Sequence, residues 1–442
     1  MKADRLKGLF ALSSVAALLS AALFGCSIEP VPSPQGNAGP SGLPARTSAP
    51  SPASVPTPSV SLVPKDTIVP APPTSIASPA VSPTAGGPTP TPKEPPYWVT
   101  QAFSNIYSEA EGFQGVVTVS LNTGSGSPAT MTLREWFRRP NLTKLEVLRS
   151  QGDQAPPGTI LIYDGNAMTI FNPSGDQMLR LSDPTQLDLF LHLPAERFYP
   201  MLQLFQLNQA WSGLASQSSI TVGPREKVAN RDTIRLELTP SIATARFHKL
   251  SLWLDKSTNI PLRAQALAPD GSDLLAIDFS QFIPSTWDPQ TQVGPEVFSF
   301  TPPSRTATVP SSAEGMASFA GLRSLPSVPV ETRRGLRVLQ PVAPIESTRG
   351  RSVWSGSING SDLIVLMYGD RQEISTLLVE GPTLPRLPML TGSKPAAEDD
   401  LAGVSYQAGN ARVVQWVSGN VSLTLVTTLS PDLALEMARS VR

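Results

Sequence analysis

The chain has 442 residues, length for two average domains, with a formal net charge of −1 and 16% charged residues. That balance excludes the concentrated basic surface a nucleic-acid partner requires. One cysteine and two histidines exclude an internal disulfide and a Cys/His zinc cage.

The N-terminus opens with basic Lys2, Arg5 and Lys7, continues through an apolar segment from Leu9 to Leu23, and reaches the single cysteine, Cys26, in Ala-Leu-Phe-Gly-Cys-Ser. A basic start followed by a short apolar run is the grammar of a secretion signal. The run falls short of the roughly 20 apolar residues that a spanning helix needs. Leu23, Phe24, Gly25 and Cys26 resemble the lipobox of bacterial lipoproteins. The resemblance implies a signal peptide over residues 1–25, and lipidation of Cys26 as the first mature residue. The partner so implied is a bacterial membrane, met on its extracytoplasmic face through the lipid anchor. The alternative, an uncleaved N-terminal anchor, also places the remainder outside the cytoplasm.

Residues 26–95 are almost wholly Pro, Ser, Thr, Ala, Val and Gly. Proline removes backbone donors and favours polyproline II, so this segment is expected to be a disordered, solvated stalk. A binding role for its proline motifs is the alternative to a plain spacer.

A first folded domain is expected over residues 96–303. Trp98, Ala102, Phe103, Ile106 and Tyr107 fall at helical spacing in Pro96 to Phe113. Gly115, Val117, Val119 and Leu121 then alternate with Val116, Thr118 and Ser120, the period of a strand. Strand-like runs follow in MTLREWF, LTKLEVL, TILIYDGNAMTIF, QMLRL, TIRLEL, HKLSLWLDKSTNIPLRAQAL and LLAIDFSQFI. Asp164-Gly165 between apolar runs predicts a tight two-residue hairpin turn. Phe198, Met201, Leu202 and Phe205 form a helical stripe between the strands. An antiparallel sheet with one apolar face must bury it, and helices are available as the cover. Such a closure either packs solid or leaves a cavity, and periodicity leaves both open. The cavity candidates are Val117, Val119, Leu145, Val147, Ile162, Leu236, Leu252 and Phe279.

Four motifs lie in order along this domain: FRRPNL (Phe137 to Leu142), IYDGNAMTIFNP (Ile162 to Pro173), LWLDKSTNIPLR (Leu252 to Arg263) and FSFTPP (Phe298 to Pro303). Together they resemble the Lol-type lipoprotein-carrier superfamily. The resemblance implies an unclosed antiparallel β-barrel covered by helices around an apolar interior that holds acyl chains. It also implies that Arg139, in the Arg-Pro-Asn motif, fastens the helical lid through hydrogen bonds to backbone carbonyls, and that FSFTPP forms a closing strand. An anchored chain with a stalk and a second domain departs from a soluble shuttle, and fits a static binder, acceptor or sensor better.

A smaller α+β domain is expected over residues 311–442. Strands are predicted in SVWSGSI, DLIVLMYG and EISTLLVEG, then a pair around Ser418-Gly419-Asn420. A helix follows with Ser430 as N-cap, Pro431 at its first position, and Leu433, Met437 and Ala438 facing the sheet. This tail resembles the C-terminal domain of RseB-like envelope proteins. The whole is read as α+β.

No serine elbow, HExxH, phosphate loop or cysteine nucleophile occurs. Asp164, Asp255 and Asp270 are read as turn residues, His192 and His248 as structural, and Ala397 to Asp400 as a solvated acidic loop. No catalytic residue, metal ligand or cofactor is expected. The remaining partners are a lipid or acylated ligand, with an envelope protein as the alternative.

Overall fold

The computed structural model describes residues 97–104, 107, 110–122, 128–214, 218–240, 247–285, 292–325, 341, 351–358, 361–369, 374–381, 396–401, 403–419 and 421–441. Cys26, the segment expected to be a signal peptide and the proline-rich stretch lie outside the described residues. The helix expected over Pro96 to Phe113 is shorter: α1 spans Tyr97–Ser104, and Gly112 and Phe113 already belong to the first strand. Among its described side chains Val99 and Ala102 are buried, whereas Trp98 is 42% exposed.

The chain then meanders through β1 (Gly112–Leu121), β2 (Ala129–Arg138), β3 (Leu142–Ser150), β4 (Ile160–Tyr163), β5 (Met168–Asn172) and β6 (Gln177–Leu181). The hairpin between β4 and β5 differs from the expected Asp-Gly turn. Its central residues are Gly165 and Asn166, because the Asp164 N–H donates to the Ala167 carbonyl. The Asp164 carboxylate accepts the Asn166 and Ala167 N–H groups, replacing the backbone carbonyl a regular turn would use. Helices α2 (Pro184–Leu191) and α3 (Tyr199–Leu214) follow. Asp183 caps α2 by accepting from the Thr185 and Gln186 N–H groups, with Pro184 at the first position.

A second meander runs through β7 (Ser218–Val228), β8 (Arg231–Pro240), β9 (Lys249–Asp255), β10 (Pro261–Leu267) and β11 (Asp273–Pro284). The halves join where β1 pairs antiparallel with β11, in a register that sets Val117 opposite Phe279 and Val119 opposite Ile277. The short β12 (Ala307–Val309) lies parallel to β6. The sheet therefore has twelve strands in the order β12-β6-β5-β4-β3-β2-β1-β11-β10-β9-β8-β7. Its edges, β12 and β7, stand at opposite ends of that order, so the sheet is unclosed. At about 4.8 Å between strands a flat sheet of this number would be roughly 50 Å wide. Helices of about 10 Å diameter cover so wide a face only where the sheet coils around them. Two features depart from expectation. FSFTPP is not a strand: Pro295–Phe298 forms a 3-10 turn, and pairing begins again at Ala307. β7 was missed because it is an edge strand with few buried positions, Ile220 and Val228.

Next come α4 (Ala313–Phe319), β13 (Arg323–Ser324), β14 (Arg351–Ile358), β15 (Ser361–Gly369), β16 (Ile374–Gly381), β17 (Ala396–Glu398), β18 (Gly403–Ala408), β19 (Ala411–Ser418), β20 (Val421–Thr427) and α5 (Pro431–Ser440). They build a second antiparallel sheet in the order β13-β14-β15-β16-β20-β19-β18-β17. Both of its faces are covered, which explains near-continuous apolar runs such as DLIVLMYG. One face, with Ile364, Leu366, Val414, Trp416 and Leu425, packs on Ala434, Met437 and Ala438 of α5. Leu433, expected to face the sheet, is 40% exposed. The i, i+3, i+4 stripe starts at Ala434, about 100° further round the helix. The other face contributes Val365, Met367, Leu377, Val379, Val413 and Val426 to the same core as the helices under the first sheet. Phe198 stacks on Phe319 of α4 at 5.3 Å between centroids. Asp188 of α2 accepts the Asn410 N–H from the β18–β19 turn at 2.6 Å. The helical layer thus lies between the two sheets.

Candidate functional site

Strand alternation puts Val117 and Val119 of β1, Met131, Leu133 and Phe137 of β2, and Leu145 and Val147 of β3 on the inward face of the first sheet. Leu236 and Leu252 lie opposite each other on β8 and β9, and Phe279 faces Val117 from β11. Seven of the eight cavity candidates thus fall in one buried cluster with the helices. Ile162 does not. It belongs to a separate cluster with Val293 and Phe298, while its neighbour Leu161 points into the main core. Successive side chains in a strand alternate faces, and Leu161 holds the inward position on β4.

The cover over this face is mainly α3, which packs on β1 and β2. Met201, Leu202, Leu204, Phe205, Leu207 and Trp211 of α3 are all buried. A helix apolar on so much of its circumference belongs to an interior, not to one side of a surface.

One polar group interrupts the apolar face. Glu135 occupies an inward position of β2 between Leu133 and Phe137 and is 0% exposed. Its register partners are Gly115 on β1 and Leu145 on β3. Asn208 of α3 donates its Nδ2–H to Glu135 Oε1 at 2.6 Å. The Tyr107 hydroxyl in turn donates to Asn208 Oδ1 at 2.7 Å. Glu135 Oε2 has no hydrogen-bond partner among the described residues. Burial raises the Glu135 pKa from 4.5 to about 8, against the lowering effect of the Asn208 bond. Burial also pushes the Tyr107 hydroxyl up, and the Glu135 charge adds to that. Below about pH 8 the carboxyl is therefore a neutral acid, and through Asn208 it ties the helical cover to the sheet.

Arg139 stands at the β2–β3 turn, exposed, with its backbone N–H donating to the Glu111 carbonyl at 2.9 Å. Its neighbours Glu111, Arg138, Pro140, Ser285, Gln292 and Val293 line with it an open groove of about 340 Å³. The three turn aspartates form local bonds. Asp270 accepts from Ser272, and Asp164 takes the bonds given above. Asp255 accepts from Arg231, Ser257 and Thr258. Burial pushes the Asp255 carboxyl up, but those bonds outweigh it and hold the group below its ordinary value. His192 is buried with Nδ1 2.6 Å from the Asp188 carbonyl, and His248 is exposed. Asp400 of the acidic run pairs with Arg439. Among the described residues no group of His, Cys, Asp and Glu is arranged to hold a metal ion.

Glu135 and Asn208 escaped the sequence reading, although each carried a signal. MTLREWF alternates Met131, Leu133, Glu135, Phe137, so the acid stands at an apolar position. Asn208 likewise follows Leu204 by one helical turn, inside an apolar stripe.

No family model and no curated protein matches the sequence. Among solved structures, the chain is similar to the MucA/MucB complex of Pseudomonas aeruginosa, with 18% identity, 78% of this chain and 98% of the other covered, and a TM-score of 0.35. It is similar to a LolA-superfamily protein from Nitrosomonas europaea, with 13% identity, 46% and 96% coverage, and a TM-score of 0.23. A lipoprotein-sorting protein domain from Vibrio parahaemolyticus, described as putative in its own name, gives 14% identity, 45% and 95% coverage, and a TM-score of 0.24.

Proposed function

We propose that this chain is a membrane-tethered, extracytoplasmic lipoprotein of the bacterial envelope that binds an apolar ligand, an acyl chain, lipid or acylated protein, beneath the helices of its first sheet. The observation that supports this reading is the unclosed sheet whose apolar inward face is covered by helices instead of a second sheet. Helices joined to the sheet by side-chain contacts can move without breaking any strand ladder. Val117, Val119, Leu145, Val147, Leu236, Leu252 and Phe279 are the wall residues of that interior in this proposal. Arg139 is a second fastener of the cover, and Cys26 carries the lipid anchor at the end of the stalk. The proposed role is holding or passing on a lipid or lipoprotein by binding, with no chemical conversion of the ligand.

Titration of the purified full chain with a fluorescent acyl probe tests it. Saturable binding that is abolished by Val119→Trp, with the circular dichroism of the sheet retained, is the expected result. Absence of binding to every acyl probe would remove this reading and leave contact with an envelope protein as the function.

A further inference from the structure

Within the apolar interior, the hydrogen bonds around Glu135 run in one direction. The Tyr107 hydroxyl donates to Asn208 Oδ1, Asn208 Nδ2–H donates to Glu135 Oε1, and the sequence ends at Glu135 Oε2, which lacks a partner among the described residues. With Oε1 used as an acceptor, the neutral acid carries its proton on Oε2 and presents an O–H donor. An unmet buried donor costs about 1–3 kcal/mol, and native interiors keep few such groups. On β3 its register partner is the apolar Leu145. Gly115 stands opposite in the β1 register, where a Cβ would meet the Gln281 carbonyl oxygen at 2.7 Å and the Phe279 ring at 2.8 Å. The Phe279 ring on that side is a side chain that rotation about its own bonds can withdraw, whereas the Gln281 carbonyl belongs to the β11 backbone.

We propose that Glu135 is the polar anchor of the interior, its Oε2–H donating to the carbonyl oxygen of an ester- or amide-linked acyl chain seated between β1, β2 and α3. This rests on the apolar-ligand reading above and adds the chemistry the ligand must carry. A bare hydrocarbon leaves the Oε2–H unmet, whereas the first carbonyl of an acyl ester or amide meets it and lets the chain lie along the inward Val, Leu and Phe residues. The bond from Asn208 makes the same carboxyl a contact of the cover, so the group that meets the ligand also touches the helix that must move to admit it.

The test uses the full chain and two probes: a pyrene-tagged dodecanoyl methyl ester, and the matching pyrene-tagged alkane in which methylenes replace the ester. The wild-type protein is expected to bind the ester about five- to tenfold more tightly, the worth of one hydrogen bond. Glu135→Leu is expected to bind both probes with equal affinity. Glu135→Gln, whose amide keeps a donor on the Oε2 side, is expected to retain a preference for the ester. Equal binding of the two probes by the wild-type protein, or a preference that survives in Glu135→Leu, overturns the assignment of Glu135 while leaving the apolar-ligand reading intact. Failure of both probes to bind saturably overturns both.

Discussion

Replacing Glu135 by Gln tests the electrostatics of the interior, because the change conserves shape and removes only the ionisable proton. Burial raises the Glu135 pKa from 4.5 to about 8. In the unfolded chain the carboxyl ionises near 4.5, so between that pH and about 8 the folded state holds a proton that the unfolded state has lost. Folding stability tied to this group is therefore fully present below pH 4.5 and is lost as pH rises toward 8. Roughly 3.5 pH units at about 1.36 kcal/mol per unit gives about 5 kcal/mol as the upper size of the effect. Gln keeps an acceptor for Asn208 and does not titrate, so its stability lacks this component. Urea unfolding of both proteins by tryptophan fluorescence, at pH 5 and at pH 8, gives the measurement. The wild-type protein is expected to lose several kcal/mol more than Glu135→Gln between the two values. Equal pH dependence in the two proteins would refute a neutral buried acid at this position.

Three other predictions follow from the packing and the sequence motifs. Gly409 has φ +59°, and a methyl placed on it would lie 2.5 Å from both Asp188 carboxylate oxygens. Gly409→Ala is expected to cost about 1–2 kcal/mol for the left-handed backbone alone, and to loosen α2 from the second sheet, read as faster amide exchange in α2. Cys26→Ala is expected to move the protein from the membrane to the soluble fraction, since acyl anchoring contributes about 0.8 kcal/mol per buried CH₂; retention of the variant on membranes would instead indicate an uncleaved N-terminal anchor. Arg139→Leu is expected to accelerate release of a bound acyl probe in stopped-flow fluorescence with the sheet intact, and an unchanged release rate would remove Arg139 from the fastening of the cover.

Much of the first sheet was legible because its strands bury one face. Val117 and Val119 alternate with Thr118 and Ser120, and Leu236 and Leu238 with Glu237, so parity alone identifies the inward set. Where burial fails, so does the pattern: β7 leaves most of its side chains exposed, and β12, β13 and β17 are two or three residues long. Ile162 was misplaced because β4 is only four residues, Ile160–Tyr163, and has apolar residues on both faces. In the second sheet, the runs Leu363 to Tyr368 and Leu377 to Val379 marked strands buried on both sides. Nothing in their local pattern said that one of those sides would meet α2 and α4. Leu433 shows the same limit in a helix, where a one-position error in the stripe exchanges Ala434 for a residue that faces water.

The arrangement of layers bears on how an interior could be reached. α2 is held to the second sheet through Asp188 and Asn410, while α3 is tied to the first sheet through Asn208 and Glu135. The bond from Gln206 Nε2 to the Leu191 carbonyl, 3.3 Å, joins the two helices. Separation of α3 from β1 and β2 would break the Asn208–Glu135 bond.

The central claim, an apolar ligand held beneath the helical cover, is tested most directly by solvent extraction and mass spectrometry of the purified Cys26→Ala protein, whose own anchor chains cannot contribute. The account predicts an acyl-bearing molecule in near-stoichiometric amount that is lost in Val119→Trp. A preparation free of acyl-bearing molecules that also fails to take up an acyl probe after delipidation would contradict it.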